Sequence, residues 1–223
     1  MFWRTVLCVH LVIAAYGAVV LDRVAIIVGR RVVKTSDLDR DLRASQFVNR
    51  EPLNLSPEAK RKITERLIDQ ELIRQEVMGG GYSRPAEQEA VGFLQQLKRD
   101  RAAGSDAQFA AALAKYGLTE EQLRQYLWWQ LTVLRFIEER FRPGVLVTDE
   151  DVKAYYEQNR AQLEKAYPKS NSFEALDPKI REILVGERVN KVFNEWLDQA
   201  RRNTRIQTRE AAFAAETSTG VSK

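Results

Sequence analysis

Apolar and polar positions change period once along this chain, and the change divides it into a short β segment and a long helical one. Residues 22–34, DRVAIIVGRRVVK, are β-branched and apolar on both sides of Gly29-Arg30. That pattern predicts two short strands joined by a tight turn, with glycine supplying the unusual φ. Beyond residue 35 the apolar residues recur at three and four, as on one face of a helix. Ser36 with Asp39 three residues on resembles a capping box and places Leu38 and Leu42 on one face. Ser56-Pro57 is an N-cap followed by proline at the first helical position, and the helix it opens runs through Ile63, Leu67, Ile68 and Leu72 to about Met78. Gly79-Gly80-Gly81 stops it.

A third helix is expected from Ser83–Pro85, carrying Val91, Leu94 and Leu97 and ending before Gly104. Ser105 caps a short helix with Phe109, Leu113 and Tyr116, closed by Gly117. Thr119 with Gln122 opens a helix that reaches Phe141 before Pro143-Gly144, and Thr148 with Asp151 opens another through Val152, Tyr155 and Tyr156. Residues 164–177 form a connection containing Pro, Ser and Asn, and Asp177-Pro178 then starts a long helix through Ile180, Leu184, Trp196 and Leu197. Alternation around Ile206 suggests a last strand, and the Ala, Thr and Ser-rich residues 210–223 suggest a disordered tail. The fold class predicted is mainly α, a multi-helix domain with a small β-sheet formed by the N-terminal strands and a C-terminal strand.

The helix at 120–141 carries more apolar surface than one buried face requires. At about 100° per residue, Leu123, Leu127, Leu131, Leu134, Ile137 and Phe141 form one stripe. Tyr126, Trp129, Val133 and Phe136 form a second, and together they cover roughly 220°. Trp128 lies outside both, among Arg124, Thr132 and Arg135. It is either an exposed contact residue or an indole covered by arginine stems.

Residues 1–17 carry an export pattern: Arg4, an apolar run over Thr5–Ala15, and small residues at Ala15 and Gly17, which place cleavage after Gly17. The protein's one cysteine, Cys8, and one histidine, His10, both fall inside that segment. A cleaved chain therefore holds no Cys–His or Ser–His nucleophile, no zinc site of the Cys/His kind and no disulfide. The net charge is +4 with a pI near 9.2, but the basic residues are interleaved with Asp and Glu, as on a solvated face rather than a nucleic-acid footprint. Glu120, Glu121 and Asp149–Asp151 sit in first helical turns, where negative charge complements the helix dipole. The triple glycine follows no strand and opens no phosphate loop.

Several segments carry a family resemblance in their order. VVLDRVAIIVGRRVVKTSDLDRDL (19–42) resembles the opening of the SurA-like periplasmic chaperones. LIDQELIRQEV (67–77) with the glycine break, KYGLTEEQLRQYLWWQL (115–131), VTDEDVKAYYEQN (147–159) and the helix 180–203 with Ile206 are similar to successive parts of the same chaperone domain. The resemblance covers about 22–209. It implies a domain spanning 18–163 and completed by 178–209. In that family, parvulin-type prolyl isomerase domains lie between the equivalents of 147–159 and 180–203. Here that interval is the short connection 164–177, too small to fold as a domain. The turn Gly29-Arg30-Arg31 also departs from the family, where acidic or Asn residues are more usual.

The function expected is ATP-independent binding, in the periplasm, of unfolded exported proteins, above all outer-membrane proteins. No cofactor, metal, nucleic acid or membrane insertion is expected, and a homodimer stays open. Met and aromatic side chains suit a shallow adaptable groove. The client-binding candidates are Met78, Tyr126, Trp128, Trp129, Phe136 and Tyr155, each of which could equally be ordinary core. Two alternatives remain at this stage: a non-catalytic assembly subunit holding one fixed partner, and a diverged prolyl isomerase.

Overall fold

The structure, a computed structural model, describes residues 22–102, 104–168, 172–209 and 213. The export segment and most of the tail lie outside the described residues. Strands β1 (Val24–Val28) and β2 (Arg31–Lys34) form the expected antiparallel hairpin. Of the two turn residues, Gly29 alone takes a positive φ, 60°, as a type II′ turn requires of its first central residue. A third strand, β3 (Ile206–Thr208), lies antiparallel along the other edge of β1, with Val28 opposite Ile206 and Ile26 opposite Thr208. The sheet order is therefore β2-β1-β3, and the N-terminal strand is its centre. Bonds from Gly29 N to Arg205 O (2.8 Å) and from Arg209 N to Ala25 O (2.9 Å) extend the pairing at both ends.

Seven α-helices follow the hairpin among the described residues: α1 (Thr35–Asn49), α2 (Pro57–Gly79), α3 (Glu87–Ala102), α4 (Asp106–Ala114), α5 (Glu120–Phe141), α6 (Asp149–Ala166) and α7 (Phe173–Asn203). The fold is mainly α with one small sheet. Ser56, Ser105, Thr119 and Thr148 each accept the predicted N-cap bond, which satisfies a backbone N–H that would otherwise lack a partner.

Four boundaries differ from the sequence reading, each for a visible reason. Ser36 does not cap α1; it lies within the first turn, and Asp22, ahead of β1, does the capping. The Asp22 carboxylate accepts from Ser36 N (3.1 Å), Thr35 Oγ1 (3.0 Å) and Ser36 Oγ. The Ser36 bond holds its pKa below the usual value. Helix α3 starts at Glu87 rather than near Ser83, because Ala86 N is taken by the Glu89 carboxylate (2.8 Å). Helix α7 starts at Phe173, capped by Ser172 Oγ to Ala175 N (3.2 Å), so the connection after α6 is 167–172 and not 164–177. Pro178 sits inside α7 near its start, where its missing N–H forfeits one bond, to the carbonyl of exposed Glu174. The last difference is Phe213, which is 1% exposed and belongs to the core under the sheet rather than to a disordered tail.

Helix α7, 31 residues and about 46 Å long at 1.5 Å per residue, is the spine. At its start, Leu176, Ile180 and Leu184 pack with Val152 and Leu163 of α6. In the middle, Val189, Phe193 and Trp196 meet Ile73 and Val77 of α2 and Phe136 and Phe141 of α5. At its end, Leu197 joins Ile26, Val28 and Val33 of the sheet with Leu38, Leu42, Ile68, Leu72 and Phe213. Ion pairs fix the register: Arg201 to Glu65 (2.6 Å) and Asp69 of α2, and Arg188 to Asp151 of α6 (2.7 Å). The Arg188 bond, with the Thr148 cap, pulls Asp151 down to about 2. A further core joins Phe47 of α1, Leu94 of α3, Phe109 and Leu113 of α4, and Leu123 of α5.

Residues 204–209 and Phe213 are therefore structural. Ending the chain at Asn203 should strip β1 of a partner and lower the urea midpoint sharply. Phe213→Ala alone should cost about 3–5 kcal/mol, as for buried Phe elsewhere. A shortened chain that unfolds at the midpoint of the full one would contradict this.

Candidate functional site

Helices α1, α2 and α5 each turn one four-residue face toward a common cleft that β2 closes at one end. The faces are Asp37, Arg40, Asp41 and Ala44 on α1; Leu67, Gln70, Glu71 and Arg74 on α2; and Gln122, Gln125, Tyr126 and Trp129 on α5. All three follow the i, i+3, i+4, i+7 spacing that aligns side chains on a helix. Arg31, Val32 and Val33 of β2 complete a cavity of about 350 Å³. That is the size of a site for a small ligand or a few side chains.

The lining is polar at its mouth and aromatic on one wall. Glu71, only 8% exposed, is shared by two guanidinium groups: its Oε1 accepts from Arg31 Nε (2.9 Å) and its Oε2 lies 3.4 Å from Arg74 Nε. The Arg74 guanidinium lies over the Trp129 ring, 3.9 Å from its centroid. Burial lowers the pKa of Arg74, with Glu71 opposing the shift and Arg31 adding to it. Asp37 is taken by Arg40 and by Lys34 N, and Asp41 by Arg66. Burial also pushes the Tyr126 phenol up. Gln122 uses its Oε1 on Thr119 N (2.9 Å) and Gln125 its Nε2 on Glu121 (2.6 Å), which leaves the other half of each amide uncommitted among the described residues.

The six residues singled out from the sequence do not form one site. Tyr126 lines the cleft half-buried, whereas Trp129 is only 7% exposed there, its ring under Arg74 and packed in the core with Ile73 and Val77. Phe136 is fully buried behind the cleft, edge-on to Tyr82, Phe141 and Trp196, where it is core. Trp128 is half-buried on the opposite side of α5, its indole N–H donating to Pro85 O (2.9 Å). The segment ahead of α3 roofs it, with Arg124 and Arg135 reaching across to Glu87 and Glu89. Met78 is 61% exposed at the end of α2, and Tyr155 is half-buried against the α6–α7 core. The surplus apolar arc of α5 faces solvent at Leu134, 60% exposed, rather than beside Trp128.

Sequence reading missed the arginines and glutamines of the cleft. Their signal was present: Gln70, Glu71 and Arg74 interrupt an apolar face that runs from Ile63 to Val77. Polar residues there must meet partners of their own kind.

Among the described residues, no helix is long and apolar enough to cross a membrane, and no three His, Cys, Asp or Glu side chains gather as a metal site needs. Comparison with protein-family models and with curated proteins gives no match.

The burial differences predict opposite outcomes for two aromatics on one helix. Phe136→Ala should cost about 3–5 kcal/mol in urea unfolding. Tyr126→Ala, at a half-buried position that accepts no hydrogen bond from the core, should cost less than half as much. Equal losses would mean that the cleft wall is packed as tightly as the core.

Proposed function

We propose that this chain is an ATP-independent chaperone module of the SurA type, which binds unfolded exported polypeptides in the periplasm, outer-membrane proteins above all, and lacks prolyl isomerase activity. The observation that carries the reading is the closure of the fold: a C-terminal strand, delivered by one long helix, returns to pair with the N-terminal hairpin. That closure is what the ordered resemblance of 22–209 implies. The 167–172 connection between α6 and α7 supports the second half of the reading, since six residues hold no isomerase domain.

The cleft supplies a workable chemistry. An unfolded client offers apolar side chains, worth roughly 25 cal/mol per Å² when covered, and a backbone of unpaired N–H and C=O groups. Tyr126 and exposed Val32 can cover the first, and glutamine amides can pair with the second whatever the client's sequence. A polar, partly open cleft releases what it binds, so no nucleotide cycle is needed.

The test is suppression of light scattering when a urea-unfolded β-barrel protein, and separately an unrelated unfolded enzyme, is diluted into buffer containing the full chain. Suppression of both at near-equimolar chaperone is the expected result. Suppression of neither contradicts the proposal, and binding of one alone would favour a dedicated assembly subunit.

A further inference from the structure

The cleft is lined by three arginines and three carboxylates, and Arg66 from outside the lining takes one of those carboxylates, Asp41. Glu71 is one carboxylate serving two guanidinium groups, and each of them spends only its Nε on it. Among the described residues, the Nη groups of Arg31 and Arg74 have no partner. Arg74 is only about one-third exposed and lies over the Trp129 ring, so its fork is aimed rather than free to swing. The other carboxylates of the cleft, Asp37 and Asp41, are already engaged by Arg40, Lys34 N and Arg66. Two guanidinium forks sharing one anion, one of them held against an indole, are a receptor for a second anion.

We propose that Arg74, with Arg31 beside it, is a carboxylate clamp that selects client segments bearing a carboxylate. This rests on the peptide-binding reading above and names what that site prefers. The carboxylate comes either from an Asp or Glu side chain or from the end of the client chain, since both present the same two oxygens to a guanidinium fork. Tyr126, half-buried on the same wall, covers the neighbouring apolar side chain, so the preferred client pairs an acid with an apolar or aromatic residue.

Three fluorescently labelled ten-residue peptides of Ala, Ser and Phe test the clamp with the full chain by anisotropy. One ends in a free carboxylate and has no acidic side chain; the second is C-terminally amidated with one central Glu; the third is amidated with Gln in place of Glu. The first or the second should bind at least about ten-fold tighter than the third, the worth of a bidentate charge-assisted contact. Preference for the first assigns the clamp to chain ends, and preference for the second to acidic side chains. Arg74→Gln should abolish the preference, and Arg74→Lys should restore part of it, keeping the charge without the fork. Because the readout is a ratio between peptides, partial loss of stability does not mimic it. If Arg74→Gln fails to fold, Arg31→Gln, at a half-exposed position, should reduce the same ratio. Equal binding of all three peptides by the unaltered protein overturns the clamp and leaves the chaperone reading standing. Binding of none overturns both.

Discussion

Strand β1 is five residues long, and three of them, Ala25, Ile26 and Val28, are 0% exposed. A strand so deeply buried cannot leave its N–H and C=O groups to water, so it needs a neighbour on each edge. The first comes from the next stretch of chain, across the two-residue turn Gly29-Arg30. The second must come from the other end of the chain, and α7 is the device that brings it. This requirement explains why a helix of 31 residues runs through three separate clusters of apolar side chains, and why Phe213 beyond β3 is also drawn under the sheet. Short strands with few contacts are weak alone; here the weak element is stabilised by long-range closure, and the chain ends share one fate.

The same closure shapes the cleft. Helices α1 and α2 both pack against the sheet, through Leu38 and Leu42 on one and Leu67, Ile68 and Leu72 on the other, while α5 meets α2 through Trp129 and Ile73. Three helices held by different parts of the core do not meet along their whole length. Where they diverge, eight of their twelve facing positions are charged or amide-bearing, and β2 seals the end. Glu71 is the centre of that polar region, and its ties to Arg31 and Arg74 link the hairpin to α2.

Much of the fold was legible because it is written in local signals. Ser56-Pro57, Thr119 with Gln122 and Thr148 with Asp151 are short-range hydrogen-bond patterns, and each starts a helix where the sequence says. Ile206 was legible as a strand because alternation is local as well. What escaped was decided at a distance. Asp22 caps α1 from across the hairpin, a role invisible without the β1–β2 pairing. Pro178 looked like a helix start, but Ser172 offers a better cap six residues earlier. A helical wheel counts apolar arc without knowing which neighbour covers it. It therefore left Phe136 open between client contact and core, and Trp128 between a free contact and a covered indole, when an aromatic cluster encloses the first and Pro85 roofs the second. The cleft was the least legible feature, since its polar residues come from four elements and form one lining only after folding.

On the proposed reading, the structure separates duties along α5. Trp129, Phe136 and Phe141 hold the core, Trp128 meets the segment ahead of α3, and Gln122, Gln125 and Tyr126 face the client. The most direct measurement is site-specific photo-cross-linking from two positions of this one helix. A photoreactive amino acid at Gln125, inside the cleft, is compared with one at Leu134, exposed on another face, each in the presence of an unfolded β-barrel protein. The account predicts adducts from Gln125 and few or none from Leu134, with the Gln125 adduct lost when the client is allowed to fold first. Adducts from Leu134 alone, or from neither position while aggregation is still suppressed, would contradict it.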